Sequence, residues 1–192
     1  MSEAEKKAHG TISDWLGDIV ALESHVEEAL DHQLELKPES AGIVSTFRRF
    51  HDTVRASKAR AEEYQKQYGS TAGNPVIKAG SSLLGKAAGV IDKMRHDSAS
   101  KALRDDFTAF NHVAIAYTML YTTAKALEDR ATQDFAEHGL KTYASLVQDV
   151  NQVIPEAVVL DLRGNEDVPP INDDVAQECR STIDNAWKVT KN

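Results

Sequence analysis

The sequence predicts an all-α protein: four long helices in a bundle whose two middle helices run parallel, with a long crossover between them and an extra C-terminal helix. Three observations carry this. Apolar residues recur at alternating spacings of four and three in four separate stretches, which lines them along one face of a helix. The composition favours helix over strand: five prolines, ten glycines and abundant Ala, Lys, Glu, Asp and Gln, with no apolar/polar alternation bounded by turn residues. Residues 70–97, between the second and third stretches, are numerous enough to carry the chain from one end of a bundle back to the other.

The first helix is expected to begin near Thr11 or Ser13, either of which can accept from free N–H groups of a first turn. Its stripe is Ile12, Leu16, Ile19, Glu23, Val26, Leu30 and Gln33, ending before Lys37-Pro38. The second opens after Pro38 and runs to Gly69, a C-terminal cap, with Ile43, Phe47, Phe50, Val54, Ser57, Ala61, Tyr64 and Tyr68 in unbroken rhythm. Residues 70–97 hold Gly73, Gly80, Gly85 and Gly89 among apolar anchors. Asn74-Pro75 resembles a helix start, and Gly85 and Gly89 are spaced for close backbone approach. We expect a crossover helix against the bundle there; a lid or membrane-contact helix over 74–95 is the alternative.

The third stretch, Ser98 to Arg130, is expected to be the central helix. Leu103, Phe107, Phe110, Ala114, Tyr117, Tyr121 and Ala124 form its main stripe, and Asp106, Val113, Leu120 and Leu127 a second one beside it. Such a wide apolar arc must be surrounded by other helices. The fourth helix starts near Asp129 or Thr132 and carries Ala136, Leu140, Tyr143, Val147, Val150 and Ile154. Pro155 is expected to interrupt it before a short apolar continuation through Leu162. A polar linker, GNEDVPPINDD, leads to a last helix at about Asp173 to Lys188, with Val175, Cys179, Ile183 and Trp187 on one face. That face must dock on its own bundle or on a neighbouring subunit. The division expected is a bundle over 1–162 and a linker with docking helix over 163–192; parallel middle helices joined by a long crossover make the topology ferritin-like.

Composition excludes several classes of function. A formal charge of −8 repels phosphate backbones, and Arg48, Arg49, Arg55, Lys58 and Arg60 are interleaved on an amphipathic helix, so nucleic acid is not an expected partner. Cys179 is a lone cysteine, and MSEAEKK has no apolar signal core. No apolar run approaches the roughly 20 residues of a membrane span, so no integral membrane segment is expected. The expected setting is the cytoplasm.

Ferritin-like bundles often hold two metals with a Glu from each of two helices and a Glu-x-x-His from each of the others. Here Lys6, Leu22, Ala29, Arg48, Lys93, Ala109 and Phe135 precede the seven histidines by three residues, so that ligand set is absent. His25, Glu28 and His32 have the spacing of a surface metal clip, but a solvated face explains them better. Glu23 is the residue that stands out: a carboxylate at a core position costs several kcal/mol unless paired, coordinated or protonated. Turn counting puts Thr53, Asn111, Tyr117 and Tyr143 near its level, and a buried polar cluster of Glu23, Thr53, Asn111, Tyr117 and Tyr143 is expected.

LGDIVALESHVEEAL, FRRFHDTVRASKARAEEYQKQYG and KALRDDFTAFNHVAIAYTMLYTTAKALED followed by LVQDVNQVIPEAVVLDL resemble the ferritin-like bacterial stress proteins of the YciE/YciF type. INDDVAQECRSTIDNAWK and the glycine-rich crossover resemble one branch of them. The resemblance implies a ferritin-like bundle, commonly dimeric and linked to stress responses. By position it implies that Glu23 matches the helix-one carboxylate, whereas Thr53 and Asn111 stand where metal-binding members present acids and helix four offers Lys141 and Thr142. The expectation is a non-catalytic, stress-associated protein with a degenerate di-metal site and no cofactor, acting as a homo-oligomer, expected to be a dimer, or on a protein partner through its C-terminal helix. The alternative is an iron- or manganese-dependent oxidoreductase or peroxide-handling protein using Glu23, His51 and Asn111.

Overall fold

The structure, a computed structural model, describes residues 3–36, 38, 40–71 and 98–188. These form five helices and no strand: α1 (Glu3–Gln33), α2 (Ala41–Thr71), α3 (Ala99–Ala126), α4 (Arg130–Arg163) and α5 (Val175–Trp187). The expected crossover helix, with Asn74-Pro75 and the Gly85/Gly89 pair, lies outside the described residues.

Residue pairs fix the direction of each helix. Glu23, Glu27 and Asp31 of α1 meet Ser57, Lys58 and His51 of α2, so these two run antiparallel. Glu23 also meets Tyr117 of α3 and Gln33 meets Asp106, which sets α3 antiparallel to α1 and therefore parallel to α2. On α4, Phe135 stacks on Tyr64 with centroids 4.2 Å apart and Glu156 accepts from Ser40, so α4 runs against α2. The middle helices are parallel, as the length of the connection between them demands.

All seven stripe residues of α1 are buried, Glu23 and Gln33 included. On α2 the stripe is buried from Ile43 to Ala61 and half-buried at Tyr64 and Tyr68. The seam of α3 differs from the expected one. Its buried residues are Leu103, Asp106, Phe110, Val113, Tyr117, Leu120 and Ala124, while Phe107, Ala114 and Tyr121 are half-buried. Two stripes of similar apolarity lay side by side in the sequence, and the packed seam takes alternate members of both. Asp106 is thereby drawn into the interior.

Three boundaries also differ. α1 begins at Glu3, and the Thr11 hydroxyl bonds back to the Lys7 carbonyl instead of capping a first turn; the residues before Thr11 are mostly good helix formers. α2 continues past Gly69 to Thr71. α4 passes unbroken through Pro155, which is buried. Pro155 deprives only the Asn151 carbonyl of its helical donor, and packing of the flanking Val150, Ala157 and Val159 outweighs that loss. The start of α4 is as expected: Asp129 accepts from Thr132 N at 3.0 Å and Thr132 Oγ1 at 2.7 Å. Glu128, with φ 58°, makes the tight turn that lets the Asp129 N–H reach the Ala124 carbonyl.

α5 docks on its own bundle, with Trp187 edge-on to Phe107 at 5.8 Å, but none of its residues is buried. Polar contacts hold it as much as apolar ones: Arg180 donates to the Gln152 carbonyl at 2.7 Å and pairs with Glu156. No helix among the described residues is long and apolar enough to cross a membrane.

A candidate site around a buried carboxylate

Glu23 arrives mid-bundle because its position on the α1 stripe gives its side chain nowhere to go but inward. It is 0% exposed. Ser57 Oγ donates to its Oε1 at 2.6 Å and Tyr117 Oη donates to the same oxygen at 3.0 Å. Oε2 has no hydrogen-bond partner among the described residues, nor does Tyr143 Oη, although Tyr143 lies close enough to act on the carboxyl. Burial dominates and lifts Glu23 from 4.5 to about 7; the hydroxyls of Ser57, Tyr117 and Tyr143 and the charge of Arg60 pull it back. A proton on Oε2 would give these two unpaired neighbours a hydrogen bond. Burial likewise raises both phenols, and the adjacent Glu23 raises them further.

The interior holds a second carboxyl. Asp106, 1% exposed, accepts from Gln33 Nε2 at 2.7 Å. Burial first, with a smaller push from Asp105, raises it from 3.8 to about 8, against the Gln33 bond. Its Oδ2 and Gln33 Oε1 are both without partners, so a proton on Oδ2 would close a two-bond ring with the amide. Gln33 is ten residues beyond Glu23 on α1, about 15 Å along the helix axis at 1.5 Å per residue. The two carboxyls therefore occupy different levels.

The other expected site residues fall apart. Thr53 is half-buried and donates to the Arg49 carbonyl, and Asn111, half-buried too, donates to the Phe107 carbonyl. Each satisfies its own helix instead of joining Glu23, the usual outcome for a short polar side chain one turn from its own carbonyls. His51 is buried but pairs with Asp31 at 2.9 Å, six residues along α2 from Ser57. Among the described residues no group of three His, Cys, Asp or Glu could hold a metal, and the His25, Glu28, His32 face supplies none.

A pair of ions 3.5–4 Å apart needs bridging carboxylates from several helices. Here one carboxylate, with one oxygen already taken by two hydroxyls, faces two phenols and a serine, a donor set that does not fit two cations.

Sequence reasoning missed four participants. Ser57 stood on the α2 stripe but was not linked to Glu23, although it is the small polar residue in that run. Asp106 was placed beside the seam. Gly139 of α4 was passed over, yet a glycine inside a long helix lowers its stability by about 1 kcal/mol and asks for a packing reason. Arg60, half-buried with its guanidinium 5.3 Å from the Phe135 ring centroid, had been counted only as surface charge.

Residues 7–163 match a family model described as "Domain of unknown function (DUF892)". No curated protein and no solved structure matches the chain.

Proposed function

We infer the function from one premise, that this chain belongs to the DUF892 family, a family of the ferritin-like superfamily. We propose that it is a non-catalytic, stress-associated ferritin-like protein of the cytoplasm that acts by associating with a second copy or with a protein partner. The observation that carries this is the donor set at Glu23: a single carboxyl, lifted to about 7 and closed in by Ser57, Tyr117 and Tyr143. The other buried acid, Asp106, sits at a different level and is engaged by Gln33. A chain built this way has kept the bundle and replaced the di-metal cage with a hydrogen-bonded core.

Association is supported by what the bundle leaves outside. On α3, Ile115 and Met119 are 58% and 40% exposed and lie one turn apart. The stress association and the YciE/YciF likeness rest on the resemblance of the helices. The alternative, a metal-dependent oxidoreductase, would need Glu23, His51 and Asn111 to converge, and their hydrogen bonds point elsewhere.

Protein expressed with iron and manganese, then assayed for both metals and run in sedimentation velocity, tests this reading. It should carry only trace metal and sediment as a dimer or larger species that Ile115→Glu with Met119→Glu dissociates. Stoichiometric metal that Glu23→Ala abolishes would overturn the non-catalytic reading, and a wild-type monomer at micromolar concentration would overturn association with a second copy.

A further inference from the structure

A row of aromatic rings runs from one end of the bundle to its centre. His9 stacks on Tyr68 with centroids 4.0 Å apart, Tyr68 lies 6.2 Å from Tyr64, and Tyr64 stacks on Phe135 at 4.2 Å. Phe135 is 5.9 Å from Tyr117, which stacks on Tyr143 at 5.9 Å. His9, Tyr68 and Tyr64 are half-buried, whereas Tyr117 and Tyr143 are 0% exposed.

Packing explains the rings. It does not explain the acceptors at their hydroxyls, since any backbone carbonyl would satisfy a buried phenol. Tyr117 donates to Glu23 Oε1 at 3.0 Å, and Tyr143 lies close enough to act on the same carboxyl. Thr132 gives its one hydroxyl proton to Asp129, so Tyr64 is the donor in its 2.9 Å bond to Thr132 Oγ1. Asp129 also acts on Tyr68: burial raises that phenol most, followed by the charges of Asp129 and Tyr64, and a hydrogen bond to Asp129 raises it further. Two pairs of phenols thus share two carboxylates, one at each end of the row.

A phenol that loses an electron becomes a strong acid, so it is readily oxidised where a base within hydrogen-bond reach can take its proton. The inner pair has the better base, because Glu23, lifted by burial to about 7, holds a proton more tightly than an ordinary carboxylate. An electron vacancy made at the half-buried end is therefore stabilised by moving inward. Tyr121 of α3 supplies the contrast. The Lys125 ammonium stands 5.7 Å from its ring centroid, and a cation there opposes removal of an electron.

We propose that this row is a redox path, carrying an electron vacancy from a one-electron oxidant at Tyr68 to Tyr117, which passes its proton to Glu23 and holds a shielded tyrosyl radical. A peroxyl radical, reduced to the hydroperoxide anion, takes one electron from Tyr68, whose proton moves to Asp129. Tyr64 then reduces Tyr68, which recovers its proton from Asp129, while the Tyr64 proton passes through Thr132 to that carboxylate. Tyr117 reduces Tyr64 across Phe135; Tyr64 regains its proton by the same route, and the Tyr117 proton goes to Glu23 Oε1. A thiolate, oxidised to a thiyl radical, returns one electron along the row, and Glu23 returns the proton. The path needs neither a metal nor a second copy, so it stands or falls apart from the association reading.

The test oxidises the full chain at pH 8, where Glu23 is ionised, with flash-generated tris(bipyridine)ruthenium(III). Transient absorbance and freeze-quench EPR follow the product and distinguish tyrosyl from tryptophanyl radicals. A tyrosyl radical that outlives the one formed in the urea-unfolded chain is expected. Glu23→Gln should slow its formation on the order of a hundredfold, the usual effect of removing a positioned base. Tyr117→Phe and Tyr64→Phe should each abolish the long-lived signal, and Tyr121→Phe should leave it unchanged. Tyr64 is half-buried, so its variant decides the matter if Glu23→Gln or Tyr117→Phe fails to fold. The proposal fails if the radical decays as fast in the folded as in the unfolded chain, if it resides on tryptophan or Tyr121, or if Tyr64→Phe behaves like wild type.

Discussion

The Tyr117 ring fills the space that a β-carbon on Gly139 would need: a carbon built there would lie 2.2 Å from the nearest ring atom. The absent side chain on α4 is what lets the phenol lie flat across the helix and reach Glu23. A glycine's helix cost is thus exchanged for a hydrogen bond at the centre of the bundle.

Gly139→Ala is therefore expected to destabilise the fold, although alanine is the better helix former by about 1 kcal/mol. Overpacking a tight core costs about 1–3 kcal/mol, and here the displaced group is a ring whose hydroxyl loses Glu23. Gly10→Ala supplies the contrast, since nothing lies within 4 Å of its added carbon. Urea unfolding should show a lower midpoint for the first variant and a slightly higher one for the second.

The two buried acids should make stability fall as pH rises. The folded state holds their protons up to about 7 at Glu23 and about 8 at Asp106, whereas the unfolded chain releases them near 4.5 and 3.8. Across those windows the native state binds more protons, so the slope is negative; below pH 4 neither group detracts, and above pH 8 both penalties are complete. Asp106→Asn removes one source. Relative to wild type, the variant should gain stability between pH 5 and pH 8.5, on the order of a few kcal/mol. Equal pH profiles in denaturant melts of the two proteins would refute a raised Asp106.

Ser57→Ala isolates the hydrogen bond to Glu23. Losing the strongest of the hydroxyls that favour the ionised carboxylate should raise the Glu23 pKa further above 7, which carboxyl-labelled NMR can follow. The stability lost should be about 1–3 kcal/mol at pH 8 and smaller at pH 5. Ser57→Thr, which keeps the hydroxyl, should restore most of the pKa.

Much of the bundle was legible because one rule, the four-three spacing, decides it. The α1 stripe from Ile12 to Gln33 is buried residue for residue, and it alone marks Glu23 as anomalous. What the spacing does not resolve is which of two neighbouring apolar stripes a wide-faced helix turns inward, and so Asp106 of α3 was assigned to the flank. Nor does it fix helix-to-helix register. Turn counting placed Thr53 opposite Glu23, but the packed helices bring Ser57 there, one turn further on. Pro155 misled for a different reason: the local loss of one helical hydrogen bond was weighed without the apolar neighbours that hold the helix together beyond it. Pairing between helices is likewise hidden: Arg49 of α2 finds Asp149 of α4, and nothing in the spacing of either helix announces it.

α5 offers a last expectation. Its grip depends on Arg180, which meets the Gln152 carbonyl, Glu156 and Gln177, and on Trp187 against Phe107. None of its side chains is buried, so its local opening should cost much less than unfolding of the bundle. Amide exchange in Val175–Trp187 should accordingly be faster than in α1 to α4. Arg180→Ala should quicken it further while leaving the main melting transition within about 1 kcal/mol of wild type, since exposed polar pairs contribute little to global stability. If α5 instead exchanged as slowly as α3 and α4, it would have to be an integral part of the core, and Arg180→Ala would then shift the main transition itself.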